Sequence, residues 1–265
     1  REPARTLSTG YAGAGLLGAT IGLSLDSLNR LQNVVGQGAF IASEAAAALL
    51  FLTLFVWRER SARHPLVNVA LLRKPVFLYA NLGAMAMGLA LFGSTYLIPL
   101  FAQTALGSSA TEAGLLMLPA GIVLGIVFPF AGNMADKHSS RKLVIFGILA
   151  FTLSAILFAL SGFDTPLGWL ALWAAVGRVG IGFMLPALSM GALNPLAPEE
   201  LGAGSSTISF TRQLGGAFGV NMVALAIEHG DHQNGMPTVE AFQFAWWMVA
   251  AFLALAIIPV WKMRT

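Results

Sequence analysis

Long apolar stretches alternate with short polar turns along the whole chain. Eight such stretches recur, at roughly 9–26, 39–57, 76–104, 110–132, 142–161, 167–193, 200–227 and 239–261. Each comes close to or exceeds the about 20 residues that an α-helix needs to cross the hydrocarbon core of a bilayer. Lipid offers no hydrogen bonds, so each stretch must satisfy its own backbone. The pattern therefore predicts helices and no strands. The turns carry boundary chemistry. Pro75 marks the entry to the third stretch, and Ser109 with Glu112 forms an S-x-x-E capping box ahead of the fourth. Leu66 to Leu72 is apolar between basic clusters and is expected to lie in the membrane interface as a short amphipathic piece.

Charge gives the pattern a direction. Of the fifteen Lys and Arg residues, all but Arg30, Arg178 and Arg212 fall in every second polar segment or at the two ends. These are Arg1 and Arg5, then Arg58, Arg60, Arg63, Arg73 and Lys74, then Lys137, Arg141 and Lys142, then Lys262 and Arg264. Positive residues are retained on the cytoplasmic side, so the alternation places both termini inside. The expectation is an all-α polytopic protein of a plasma membrane, with eight transmembrane helices.

Composition agrees with this picture and removes others. Charged residues make up 10% of the chain and apolar ones 57%, whereas soluble domains carry about 25% charged residues. A pI near 9.6 suggests nucleic acid as a partner in a soluble protein. Here topology accounts for the basic loops, and no nucleic-acid partner is expected. Cysteine is absent, which removes disulfides and thiolate chemistry. His229, Asp231 and His232 share a polar outer segment without a convincing fourth ligand, so no metal is expected. No G-x-S-x-G, P-loop or HExxH motif occurs, and no enzymatic chemistry is expected.

Gly18/Gly22, Gly121/Gly125 and Gly215/Gly219 have the small-xxx-small spacing of close helix contacts. A faint internal repeat accompanies them. The third and sixth stretches carry several glycines and then Pro99 or Pro186, and Glu112 or Glu200 follows at nearly the same distance. Interrupted spans at corresponding positions point to the central helices of a transporter. The repeat implies three plus three helices, preceded by two more.

Few residues carry chemistry. Arg178 and Arg212 fall near mid-membrane, where a charge is costly and faces protein or a wet cavity. Each has two readings: electrostatics toward a substrate or a proton relay, or a structural Arg bonded to carbonyls or to neighbours such as Gln213 and Asn221. Asn81 and Gln103 line the same cavity or bond between helices. The inner turn from Gly132 to Lys142 holds Asp136, Lys137 and Arg141. Asp136 is placed to cap the helix that follows, and Arg141 and Lys142 to meet carboxylates or lipid phosphates.

That turn resembles the G-x-x-x-D-(R/K)-x-G-(R/K)-(R/K) loop of the major facilitator superfamily at Gly132, Asp136, Lys137 and Arg141. It departs from the pattern at Ser139 and Ser140, as the copy in the C-terminal half of such transporters does. Two longer segments are similar to that family's fourteen-helix drug:proton antiporters. One is Leu185-Pro186 with Pro198-Glu199-Glu200-Leu-Gly202-Ala-Gly204 and Thr211-Arg212-Gln213-Leu-Gly215-Gly216-Ala-Phe-Gly219. The other is His64-Pro-Leu through Lys74-Pro75 to Asn81. The resemblance implies a C-terminal portion: a cytosolic lead-in 1–8, two inserted helices in 9–57, a basic linker 58–75 and a six-helix bundle in 76–262. It implies a gating role for Gly132, Asp136, Lys137, Arg141 and Lys142. Arg178, Arg212, Gln213, Asn81 and Gln103 become candidates for contact with substrate or protons. It further implies a small-molecule substrate, hydrophobic or cationic, exported against protons by alternating access, and a missing N-terminal six-helix half. A metabolite exporter or importer on the same fold, or a non-transporting membrane scaffold, remains the alternative.

Overall fold

The computed structural model describes residues 69–233 and 238–263 continuously. Between 15 and 58 it describes helical residues at 15–16, 18–20, 22–23, 26, 43, 46–47, 49–51, 53–55 and 57–58. The lead-in 1–8, the outer loop 27–38 and most of the basic linker lie outside the described residues. After a 3-10 turn at Val69–Arg73 come six long helices: α1 (Pro75–Thr104), α2 (Ala110–Lys137), α3 (Ser140–Ala159), α4 (Leu167–Leu193), α5 (Leu201–Gln233) and α6 (Thr238–Trp261). No strand occurs among the described residues. Pro75 opens α1, where its missing N–H costs nothing. Ser109 and Glu112 form the expected capping box. The Glu112 N–H donates to Ser109 Oγ at 3.2 Å, and the Ser109 N–H donates to Glu112 Oε2 at 2.8 Å.

Among the described residues, five helices are long and apolar enough to cross a membrane: α1 to α4, and Val239–Trp261 of α6. The expected count is eight. The first two apolar stretches are described only in part, and α5 falls short by composition. Ser205, Ser206, Thr207, Ser209, Thr211, Arg212 and Gln213 crowd its first half. It also runs on to Gln233, so His229, Asp231 and His232 extend a helix where a loop was expected. Of the apolar piece 66–72, residues 66–68 lie outside the described residues; Leu71 is only 2% exposed and joins the core, so the 3-10 turn packs on the bundle.

Helix pairing supports the internal repeat. If α1, α2 and α3 correspond to α4, α5 and α6, then α1 on α5 is the counterpart of α4 on α2. In the same way α3 on α4 is the counterpart of α6 on α1. All four contacts occur, and α1–α4 and α3–α6 meet across the pseudo-axis. The two glutamates of the repeat also do the same work. Glu200 Oε2 accepts the Ala197 N–H at 3.0 Å, as Glu112 does for Ser109, on the opposite end of the bundle. Aromatic rings fill the core near the outer end: Phe158 stacks on Trp246 at 4.5 Å and meets Trp173 edge-on, and Phe101 meets Phe242 edge-on.

Glycines set the tightest approaches. A Cβ on Gly88 would overlap the Arg212 carbonyl, and one on Gly215 would overlap the Met85 carbonyl, so α1 and α5 touch backbone to backbone. Gly147 and Gly180 do the same for α3 and α4. Gly121 and Gly125 differ, because a Cβ on either meets nothing within 4 Å. Gly18 and Gly22 also meet nothing among the described residues. Of the three spacings read as contact motifs, Gly215/Gly219 is the one packed among the described residues.

Candidate functional site

The charged groups at mid-span in the described helices are Arg178 on α4 and Arg212 on α5, both positive. Arg178 is 6% exposed. Its Nη2 donates to Thr95 Oγ1 on α1 at 2.9 Å, and the Thr95 hydroxyl donates in turn to its own helix, to the Leu91 carbonyl at 2.6 Å. Arg178 Nη1 is buried with no acceptor among the described residues. Thr95 is exposed, so the pair sits just beneath an uncovered part of the α1–α4 face. A guanidinium keeps its charge at any physiological pH and offers five donors and no acceptor. It can therefore hold a carboxylate, a phosphate or a carbonyl, or tune a nearby acid, but it cannot itself carry the proton.

The other candidates do not join this site. Arg212 is half-buried; the neighbours that might have held it, Gln213 and Asn221, bond to their own helix at Ser209 and Ala217. Its carbonyl rather than its guanidinium is what the α1 crossing uses, opposite Gly88. The R-Q-x-G-G-x-x-G run is thus a packing surface in this bundle: Gly215 and Gly219 sit on the Met85 and Leu89 backbones, and Gly216 against the Phe92 ring. Asn81 and Gln103 are 22 residues apart on one helix, which is about 33 Å along its axis. Among the described residues neither donates to another helix. Asn81 is buried and donates to the Phe77 carbonyl at 2.9 Å, while exposed Gln103 donates to the Pro99 carbonyl at 3.3 Å. Thr95 was missed because one threonine in an apolar helix carries no signal; only the fold sets it against Arg178.

The inner turn is tighter than the sequence suggests. Gly132, Asp136 and Lys137 lie in the last turns of α2, and Arg141 and Lys142 in the first turn of α3. Ser139 holds the N-cap position of α3. Asp136 is exposed and still inside α2, so it does not cap α3. On the same end of the bundle, Lys74 Nζ and Glu200 Oε2 meet at 2.5 Å, tying the start of α1 to the turn before α5. The Lys74 hydrogen bond, and after it the Ala197 N–H, hold the Glu200 carboxyl below its usual range. Among the described residues no group of His, Asp and Glu has the arrangement of a metal site.

Comparison with known proteins gives this bundle its relatives. The chain is 29% identical over 178 residues to the multidrug transporter protein MdtP of Bacillus subtilis, covering 67% of this chain and 33% of that protein. It is 30% identical over 168 residues to the multidrug resistance protein B homolog of Mycobacterium tuberculosis, covering 63% of this chain and 31% of that one. It is 26% identical over 189 residues to the lincomycin resistance protein LmrB of Listeria innocua, covering 71% and 40%. The chain thus spans about a third of the length of the curated relatives it matches. Residues 6–220 match the Major Facilitator Superfamily as a whole. With helices fit to cross a membrane, glycine-packed pairs and a family match over most of its length, this chain belongs to the major facilitator superfamily and is an integral membrane protein.

Proposed function

We propose that the chain is the C-terminal part of a fourteen-helix, proton-coupled exporter of hydrophobic or cationic small molecules. In that reading two helices lie within 9–57, a basic cytosolic linker spans 58–75, and 76–262 forms the second six-helix bundle. Both termini face the cytoplasm of a bacterial cell. Alternating access arises when this bundle rocks against a first six-helix bundle supplied by the same polypeptide. The turn bearing Gly132, Asp136, Lys137, Arg141 and Lys142 serves as a gate at the inner end. The buried Arg178 guanidinium beside Thr95 is the observation that carries the reading. An uncompensated charge at mid-membrane costs about 2.5–3.5 kcal/mol on insertion scales, and such residues mark substrate and ion paths.

The charge balance refines the roles. Both mid-span charges in this bundle are positive, and neither can release a proton at physiological pH. The coupling proton then travels on a carboxylate of the other bundle, and Arg178 lowers the pKa of that acid or holds an electronegative part of the substrate. A second support comes from α2. Gly114, Gly121, Gly125 and Gly132 fall within about 20° of one line along the helix, and a Cβ on any of them meets nothing within 4 Å. A face built for close approach and left open is suited to helices of the missing bundle.

Transport by the complete polypeptide tests the reading. Arg178→Ala is expected to abolish drug efflux at unchanged membrane levels, and Arg178→Lys to restore little, because an ammonium lacks the planar fork. Undiminished efflux from Arg178→Ala would remove the site from the mechanism. Vesicles holding residues 1–265 alone are expected to show no proton-driven uptake.

A further inference from the structure

A second cavity lies at the inner end of the bundle, away from Arg178. Pro75, Val76 and Tyr79 of α1, Arg141 of α3, and Trp261 and Lys262 at the end of α6 enclose about 660 Å³. Two of the six lining residues are cations and none is an acid. Arg141 is held in place: its Nη1 donates to the Trp261 carbonyl at 3.4 Å, and its guanidinium carbon stands 6.0 Å from the Trp261 ring centre. Those contacts use little of a five-donor group. Lys262 is exposed and makes no side-chain hydrogen bond or ion pair among the described residues. The described acids on this end are placed elsewhere. Glu200 is engaged by Lys74, and Asp136 and Glu199 do not line the cavity.

The surroundings decide between a lipid headgroup and a soluble anion. Tyr79 and Trp261 are amphipathic rings of the kind found at membrane–water boundaries. Within about two helical turns of the cavity, α1 and α6 expose Leu78 and Ile258 toward what would be the hydrocarbon side. Basic pockets between transmembrane helices on the cytoplasmic side suit anionic headgroups. We propose that this cavity binds an anionic phospholipid, with its phosphate between Arg141 and Lys262, its glycerol against Tyr79 and Trp261, and its tails over Leu78 and Ile258. Arg141 then serves the lipid as well as the turn, and the bound lipid clamps the start of α1 to the end of α6. The inference needs only that these helices span a membrane, and it stands whatever the transporter carries.

The test is lipid retention by the complete polypeptide purified from vesicles of equal phosphatidylglycerol and phosphatidylcholine. Phosphatidylglycerol is expected to be retained in excess. Arg141→Ala and Lys262→Ala should each cut that excess by about fivefold, and the pair by about 25-fold, as one surface cation is worth about a factor of five. Arg141→Lys with Lys262→Arg should preserve it. Arg73→Ala with Lys137→Ala removes the same charge from the same end outside the cavity and should leave the excess intact; an equal fall would mean a diffuse basic surface and overturn the proposal. Undiminished retention in Arg141→Ala/Lys262→Ala would also overturn it. So would displacement of phosphatidylglycerol by inorganic phosphate alone, which would mark a site for soluble anions. The Lys262 side chain makes no hydrogen bond or ion pair among the described residues, so Lys262→Ala decides the matter even if Arg141→Ala loosens the end of α6.

Discussion

Two glycine rows in this bundle share a spacing and differ in everything else. On α5, Gly215 and Gly219 press on the α1 backbone, and Gly88 of α1 returns the contact at the Arg212 carbonyl. On α2, Gly121 and Gly125 face open space. The surrounding helices differ to match: 61% of the apolar window of α1 is buried, against 17% for α2. In a membrane no hydrophobic drive pulls helices together, so close packing of small residues supplies much of the attraction. A glycine row with a partner holds a bundle together. A row without one costs helix propensity for no return within the bundle, because Gly is about 1 kcal/mol worse than Ala in a helix interior. The comparison therefore assigns the α5 row to the fold, while the α2 row has no packing role among the described residues.

The largest expected effect breaks the packed row. Gly215→Ala puts a methyl group into the Met85 carbonyl, and neither backbone can give way without parting α1 from α5. Overpacking of this kind costs about 1–3 kcal/mol, and more where backbone must move. The purified variant should lose folded yield and unfold at a lower temperature, as read by the thermal melt in detergent. A melt identical to the parent would show that the two helices are not in backbone contact.

The matching experiment on the open row has a split outcome. Gly121→Leu/Gly125→Leu should leave the melt of the purified protein near that of the parent, since nothing stands within 4 Å of either Cβ. On the proposed exporter reading, efflux by the complete polypeptide should fall sharply, because the first bundle would dock on that surface. Full transport would mean that lipid, not protein, covers α2, and would remove the glycine row as support for a docking face.

This pair of outcomes also marks how far the sequence alone could be read. The helices were legible, because eight apolar runs with charged turns admit few other structures, and α4 emerges with the expected limits, 167–193. The capping box at Ser109 was legible for the same local reason. Which glycines touch was not, since spacing fixes the face of a helix but not what lies opposite. Asp136 has the chemistry of a cap, yet α2 runs one residue past it and Ser139 takes the position. Arg178 stood out as a charge in an apolar run, whereas Thr95 had no distinguishing feature until α1 and α4 were brought together. The R-Q-x-G-G-x-x-G run was read both for Arg212 and, at Gly215 and Gly219, for close helix contact, and the glycines carry the packing.

The smallest expected effect compares the two ends of the repeat. Glu112 and Glu200 each cap the turn that begins a helix, but Glu200 alone also holds a lysine, Lys74. That tie joins α1 to the segment before α5, so it strengthens the same pair of helices that the packed glycines join. The Lys74 side chain is 41% exposed and that of Glu200 30%, and solvent screening keeps the gain small. Because the Glu200 carboxyl is held below its usual range in the fold, its contribution is complete above the unfolded value of about 4.3. It is lost as pH falls through the lower, folded value. Melts of the parent and of Glu200→Gln should therefore differ slightly at neutral pH and converge in acid. In a double-mutant cycle, Lys74→Ala should couple with Glu200→Gln and not with Glu112→Gln. Coupling to Glu112 would place the two caps on one end of the bundle and undo the inverted repeat.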